Sequence, residues 1–206
     1  MRPMTPLCEL AKKHETDKGG RHLRYGGGDS DTCHEYTPVY WDLLGEKREV
    51  VRHVLEIGIN AGCSLRMWKD FFPNADIVGL DNNEYTLFTE DRIQTILADQ
   101  SSEISLVVAM GHVPPTKPCF DLIVDDGSHE PSHQIVTMRT LLPFLRRDGI
   151  YVIEDLNVDC KPELIGQHVP AGYTWEAIPC PGGIGKAVCG CGCGEPENLL
   201  VIRVQQ

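Results

Sequence analysis

The chain has 206 residues, with 19 Lys and Arg against 30 Asp and Glu, a formal net charge of −11. That length suits one α/β domain with a single sizeable core. The acidic balance disfavours a nucleic-acid backbone or an anionic membrane as partner and favours a small-molecule substrate, while leaving a homo-oligomer open. Residues Met1 to Glu9 lack the basic-then-apolar pattern of a secretory signal. No apolar run approaches the roughly 18 residues that span a bilayer, so the expected location is cytoplasmic. Of nine cysteines, Cys8, Cys33, Cys63, Cys119 and Cys160 are scattered singly and read as reduced thiols.

Residues 1–49 read as an N-terminal arm or lid, polar and irregular, with Gly26-Gly27-Gly28 and Asp29-Ser30-Asp31 marking a loop between two short helical pieces. Residues 50–206 read as the domain proper. There, β-rich runs alternate with amphipathic stretches: strand 51–57, helix 63–72, strand 76–81, strand 93–98, helix 101–110, strand 120–125, helix 132–147 and strand 149–154. Two terminal strands, 173–179 and 199–204, would pair as an antiparallel edge hairpin. The pattern predicts an α/β, Rossmann-like, mostly parallel seven-stranded sheet with helices on both faces.

In an open parallel sheet, ligands sit beyond the carboxyl ends of the strands where strand order reverses. Glu56, Gly58, Asn60 and Gly62, with Ser64 behind them, follow the first strand to that edge. Asp81 ends the second strand beside Asn82, where a carboxylate can accept hydrogen bonds from both hydroxyls of a ribose. Asp99 and Gln100 end the third and could contact a base. The turn reads E-x-G-x-x-x-G, not the G-x-G-x-x-G that seats a pyrophosphate on a helix N-terminus, so a cofactor without phosphates is preferred.

The stretch Leu55-Glu56-Ile57-Gly58 to Gly62, the strand ends at Asp81 and Asp99, and Asp121-Leu122-Ile123-Val124-Asp125-Asp126-Gly127-Ser128-His129 resemble class I S-adenosylmethionine-dependent methyltransferases. More narrowly, they resemble the metal-dependent O-methyltransferases of macrolide sugars and related glycans. Upstream, His14-Glu15-Thr16-Asp17-Lys18 and His34-Glu35-Tyr36-Thr37 with Tyr40 are similar to the arm those enzymes place before the first strand. The resemblance implies S-adenosylmethionine as cofactor, with Thr16, Lys18, Tyr36 and Asp125 among the residues around it. Two features depart from the family pattern: a large N-terminal oligomerisation domain is missing, and the cysteine-glycine stretch near the C-terminus is foreign to it.

Asp126 follows the strand 120–125 and Glu154-Asp155 follows the strand 149–153, neighbours about 5 Å apart in the implied fold. Carboxylates so close repel one another unless a cation holds them. Oxygen ligands favour a hard ion such as Mg²⁺, and the resemblance places the metal on Asp126, Glu154 and Asp155 as well. His129 lies at the turn into the next helix, where an imidazole can take the proton that an attacking hydroxyl must lose.

His129-Glu130-Pro131-Ser132-His133 matches the H-E-x-x-H of zinc proteases, but Pro131 opposes a helix running through Glu130, and the site needs both histidines on one helical face. Cys180, Cys189, Cys191 and Cys193 could take a soft metal, although C-x-C steps are tighter than usual zinc spacing. The expected function is Mg-assisted methyl transfer to a hydroxyl of a sugar or glycosylated natural product. The alternatives are a nucleotide-dependent oxidoreductase or epimerase on the same fold, and a non-catalytic S-adenosylmethionine-binding module.

Overall fold

The computed structural model describes residues 4–19, 34–113, 119–156, 161–180 and 197–205. The loop signals at Gly26 to Asp31, and Cys33, Cys160, Cys189, Cys191 and Cys193, lie outside the described residues. Two helices, α1 (Pro6–His14) and α2 (Tyr36–Leu44), precede β1 (His53–Ile57). Then follow α3 (Cys63–Phe71), β2 (Asp76–Asp81), β3 (Thr89–Glu90), β4 (Ile93–Leu97), α4 (Glu103–Met110), β5 (Phe120–Asp125) and α5 (Pro131–Leu141). The chain continues through β6 (Leu145–Leu156), α6 (Pro162–Gly166), β7 (Tyr173–Cys180) and β8 (Glu197–Val204).

The strands form one sheet of order β3-β4-β2-β1-β5-β6-β8-β7. The five strands from β4 to β6 run parallel, and β3, β8 and β7 pair antiparallel. The sheet has eight strands, not the seven expected. The extra one, Thr89–Glu90, is two exposed residues paired to Gln94 and Ile93 through a turn in which Arg92 adopts φ 58°. Two residues carry no readable alternation. The C-terminal hairpin forms as expected, its two strands pairing from Tyr173↔Val204 to Cys180↔Glu197.

Two helix boundaries also differ. The helix expected to run to 147 ends at Leu141, because Pro143 lacks the amide needed to continue it; a single 3₁₀ turn, Leu142–Phe144, follows. Strand β6 can therefore start at Leu145, with an irregularity opposite Phe120 and Leu122. Helix α4 starts at Glu103, where the Ser102 hydroxyl accepts from the Ser105 amide.

Strand alternation sends side chains to two separate cores. One joins Val54, Ile77, Val124 and Val152 to α1, α2 and α3 through Leu7, Tyr40, Trp68 and Phe71. The other joins Leu55, Val78, Ile123 and Ile153 to α4, α5 and α6 through Leu106, Met138 and Ile165. Both faces are thus covered, and the helices that precede Val50 pack into the first core. Among the described residues, no helix is long and apolar enough to cross a membrane.

Candidate active site

Strand β1 lies between β2 and β5, and its last residue, Ile57, stands beside Leu80 on one side and Asp125 on the other. Asp125 in turn stands beside Ile153. Just beyond the ladder, the Gly58 amide donates to the Leu80 carbonyl (2.8 Å) and the Asp126 amide to the Ile57 carbonyl (3.0 Å). Gly58, Asp126 and Glu154 are thereby aligned along the carboxyl edge of three neighbouring strands.

On the β1–β2 side the edge is built from main chain. Gly58 has φ 92°, and a Cβ there would run into the Asp126 carbonyl oxygen, so only glycine fits. Asp81 accepts from the Ile59 amide (2.8 Å) and the Asn83 amide (2.9 Å), which fixes the turn after β1. Asn60 adopts φ 47°. Asp99 accepts from the Ser101 amide and hydroxyl. Gly62 opens α3 beneath Phe88, and Asn82 is exposed. These rim residues lie at or beyond the carboxyl ends of β1, β2 and β4, which are neighbours in the sheet. Thr16 is buried at the start of the arm segment that delivers Lys18.

On the β5–β6 side the edge is built from charge. Lys18 is fully buried, and its ammonium pairs with Asp126, with Glu154 (2.6 Å) and with Glu56 (3.3 Å). Its carbonyl oxygen meanwhile accepts from the Tyr36 and Thr37 amides (3.0 and 3.1 Å), groups at the start of α2 that lack helical partners. Tyr36 and Tyr40, one helical turn apart and on one face, then reach the acids. The Tyr36 hydroxyl donates to Asp155 (2.6 Å) and the Tyr40 hydroxyl to Glu154 (2.5 Å). His34 stacks on Tyr36 and lies 3.3 Å from Asp155. Glu56 also accepts from the Trp68 indole (2.6 Å) and from Ser64.

Burial alone would depress the Lys18 ammonium, yet Asp126, Glu154 and Glu56 outweigh it and hold the group well above the ordinary lysine range. Burial pushes the carboxyls of Glu154, Asp126 and Glu56 upward, with Lys18 opposing the rise. Asp125, buried and bonded to Gln100 and Tyr151, is pushed by burial up to about 6.

Asp126, His129 and Asp155 each present one ligand atom within 4.8 Å of the others, with His129 Nε2 lying 3.4 Å from Asp155. Both His129 (φ 57°) and Asp155 (φ 59°) adopt the left-handed conformation, which turns their side chains into this spot. Two carboxylates and an imidazole suit a divalent cation, and the ammonium drawn between Asp126 and Glu154 shows how strongly the acids attract positive charge. Of the three acids expected around a metal, Asp126 and Asp155 converge, while both oxygens of Glu154 are engaged by Lys18 and Tyr40. Of the residues expected around a cofactor, Glu56, Lys18, Tyr36, Gln100 and Asp125 bond to distant parts of the chain, while Asp81 and Asp99 also accept from near neighbours. Tyr40, Tyr151 and Thr137 join the network without having been singled out as site residues in the sequence. The spacing of Tyr36 and Tyr40 was the signal available for the first. Cys180 is buried at the end of β7.

No family profile matches the chain. It is 36% identical over 164 residues, 76% of this chain and 41% of the relative, to an 8-demethyl-8-(2-methoxy-alpha-L-rhamnosyl)-tetracenomycin-C 3'-O-methyltransferase of Streptomyces olivaceus. It is also 36% identical over 172 residues, 80% of this chain and 39% of the relative, to a mycinamicin VI 2''-O-methyltransferase of Micromonospora griseorubida. Among solved structures, the MycE methyltransferase of the mycinamycin pathway, in complex with Mg, SAH and mycinamycin VI, aligns with a TM-score of 0.64 at 33% identity, covering 87% of this chain and 43% of that one. The architecture is thus the Rossmann-like methyltransferase fold. The chain itself is a homologue of these O-methyltransferases and spans about two fifths of their length.

Proposed function

We propose that the chain transfers a methyl group from S-adenosylmethionine to a hydroxyl of a sugar or glycosylated natural product, with assistance from Mg²⁺. The observation that carries this reading is the convergence of Asp126, His129 and Asp155 one strand away from the Gly58–Asp81 crevice. The similarity to the tetracenomycin and mycinamicin O-methyltransferases, and to a structure holding Mg and SAH, supports it.

The crevice walls from Gly58 to Asp81, with Asp99, would seat the cofactor, while Asp126 and Asp155 would hold the metal. Glu154, whose oxygens accept from Lys18 and Tyr40, would join them through a remaining lone pair or by a shift of those partners. When bound, Mg²⁺ lowers the pKa of a hydroxyl it touches and S-adenosylmethionine supplies an activated methyl. His129 Nε2 accepts the hydroxyl proton as the oxygen–methyl bond forms and the sulfur–methyl bond breaks. Asp155, beside the ring, stabilises the imidazolium that results. Lys18 opposes the upward push of burial on Asp126 and Glu154 and holds both carboxyls in place.

The test supplies S-adenosylmethionine, Mg²⁺ and a panel of glycosides with vicinal hydroxyls, which can present two oxygens to the metal. Methyl transfer is expected in Mg²⁺ and absent in excess EDTA, with SAH affinity retained in both. His129→Ala should lose turnover by roughly 10²–10⁴ while still binding Mn²⁺. The placement of His129 Nε2 among the acids favours a second role, as a ligand. Loss of Mn²⁺ binding in His129→Ala would establish that role and remove the residue as base. Full turnover in EDTA would refute the metal.

A further inference from the structure

We propose that Gln100, on the cofactor side of the crevice, is a positioning residue for the turn that carries Asp126 and His129. This rests on the metal-assisted reading above. Gln100 follows β4, yet its side chain is directed across the sheet edge and is fully engaged there. Its Nε2 donates to Asp125 Oδ1 (3.0 Å) and to the Thr137 hydroxyl (3.2 Å), and its Oε1 accepts from the Ser128 amide (2.6 Å). The Thr137 hydroxyl also reaches the Gln100 carbonyl (3.3 Å), which ties the loop after β4 to α5.

The turn from Asp125 to Ser128 is therefore held at both ends by one amide, with Asp126 between the anchors and His129 next to the second. Gly127 makes the contact possible. Its backbone is not left-handed, but a Cβ there would overlap Gln100 Oε1 and press on Ile57 (3.1 Å). Glycine at this position gives Gln100 its room, and a Cβ would displace the amide. Without the amide, the Ser128 N–H loses its partner and the Asp125 carboxyl keeps Tyr151 but not Gln100, which leaves the carboxylate of Asp126 on a less firmly braced turn.

The experiment compares wild type with Gln100→Met, which keeps the volume and removes the hydrogen bonds. Mn²⁺ and SAH affinities are measured separately by titration, and Ser128 amide exchange by NMR. Groups bonded directly to a ligand contribute about 10–100-fold in metal affinity; Gln100 acts one residue away, so Gln100→Met should lose Mn²⁺ affinity by up to about 10-fold, keep SAH affinity, and lose Ser128 protection. Gly127→Ala should reproduce the metal loss in wild type and cost little further in a Gln100→Ala background. These two glycine variants also decide the matter if Gln100→Met does not fold. Unchanged Mn²⁺ affinity, loss of SAH affinity instead, or additive Gly127 and Gln100 effects would each overturn the proposal. If wild type itself binds neither Mn²⁺ nor Mg²⁺, the metal reading fails by itself, and retained Ser128 protection in Gln100→Met would still refute the brace.

Discussion

Around Gly58 and Asp81 the site is shaped by peptide groups: amides donate to Asp81, and a left-handed glycine lets the Asp126 carbonyl come close. Around Asp126 and Glu154 it is shaped by buried ionised side chains from four distant parts of the sequence, joined by Lys18. The first kind of construction depends on local conformation and on hydrogen bonds between near neighbours along the strand edge. The second fails as a unit, because removing one member of a buried ion cluster leaves the others uncompensated.

The strongest challenge to this contrast is Lys18→Met. It should destabilise the protein by about 3–5 kcal/mol in urea unfolding, since buried Glu56 and Glu154 and part-buried Asp126 lose their cation. Removing one of those charges as well, in Lys18→Met/Glu56→Gln, should recover part of the loss. A Lys18→Met protein as stable as wild type would show that the acids are not held by charge.

Asp125 sharpens the contrast through pH. Burial, against the opposing Gln100 bond, raises its carboxyl from 3.8 to about 6. Between those values the folded chain keeps a proton that the unfolded chain releases, so this group's contribution is fully present below about pH 4 and is lost as pH rises through about 6. The difference amounts to about 3 kcal/mol. In EDTA-treated protein, Asp125→Asn should therefore gain up to that much over wild type at pH 8 and converge with it at low pH. Parallel stability curves would mean that Asp125 is ionised without penalty.

The smallest effect is expected at Lys13, an exposed residue paired with Asp70 at 2.6 Å. Lys13→Ala should cost under about 1 kcal/mol and respond to salt, giving the surface baseline for the Lys18 result.

The parallel sheet, its carboxyl edge and the acids on it were legible because strand periodicity and turn glycines are local signals. What the sequence did not disclose is where long side chains end. Lys18 meets Asp126 across 108 positions, and Gln100 turns from the crevice to Ser128; both outcomes depend on which groups are buried with them. The arm reads as polar and irregular because some of the polar side chains described there face inward: Lys18 and His34 are buried partners of the acids. Strand β3 is too short to show as a periodic pattern, and α5 ends before its amphipathic run does because Pro143 interrupts it.

His129 and Asp155 both occupy backbone conformations that side-chain-bearing residues enter at a cost of about 1–3 kcal/mol each and glycine enters freely. A mutant library sorted by heat resistance alone should consequently enrich glycine at positions 129 and 155, and under the proposed mechanism every such survivor would have traded chemistry for robustness. Campaigns to harden this protein should hold those two codons fixed and sort on turnover as well.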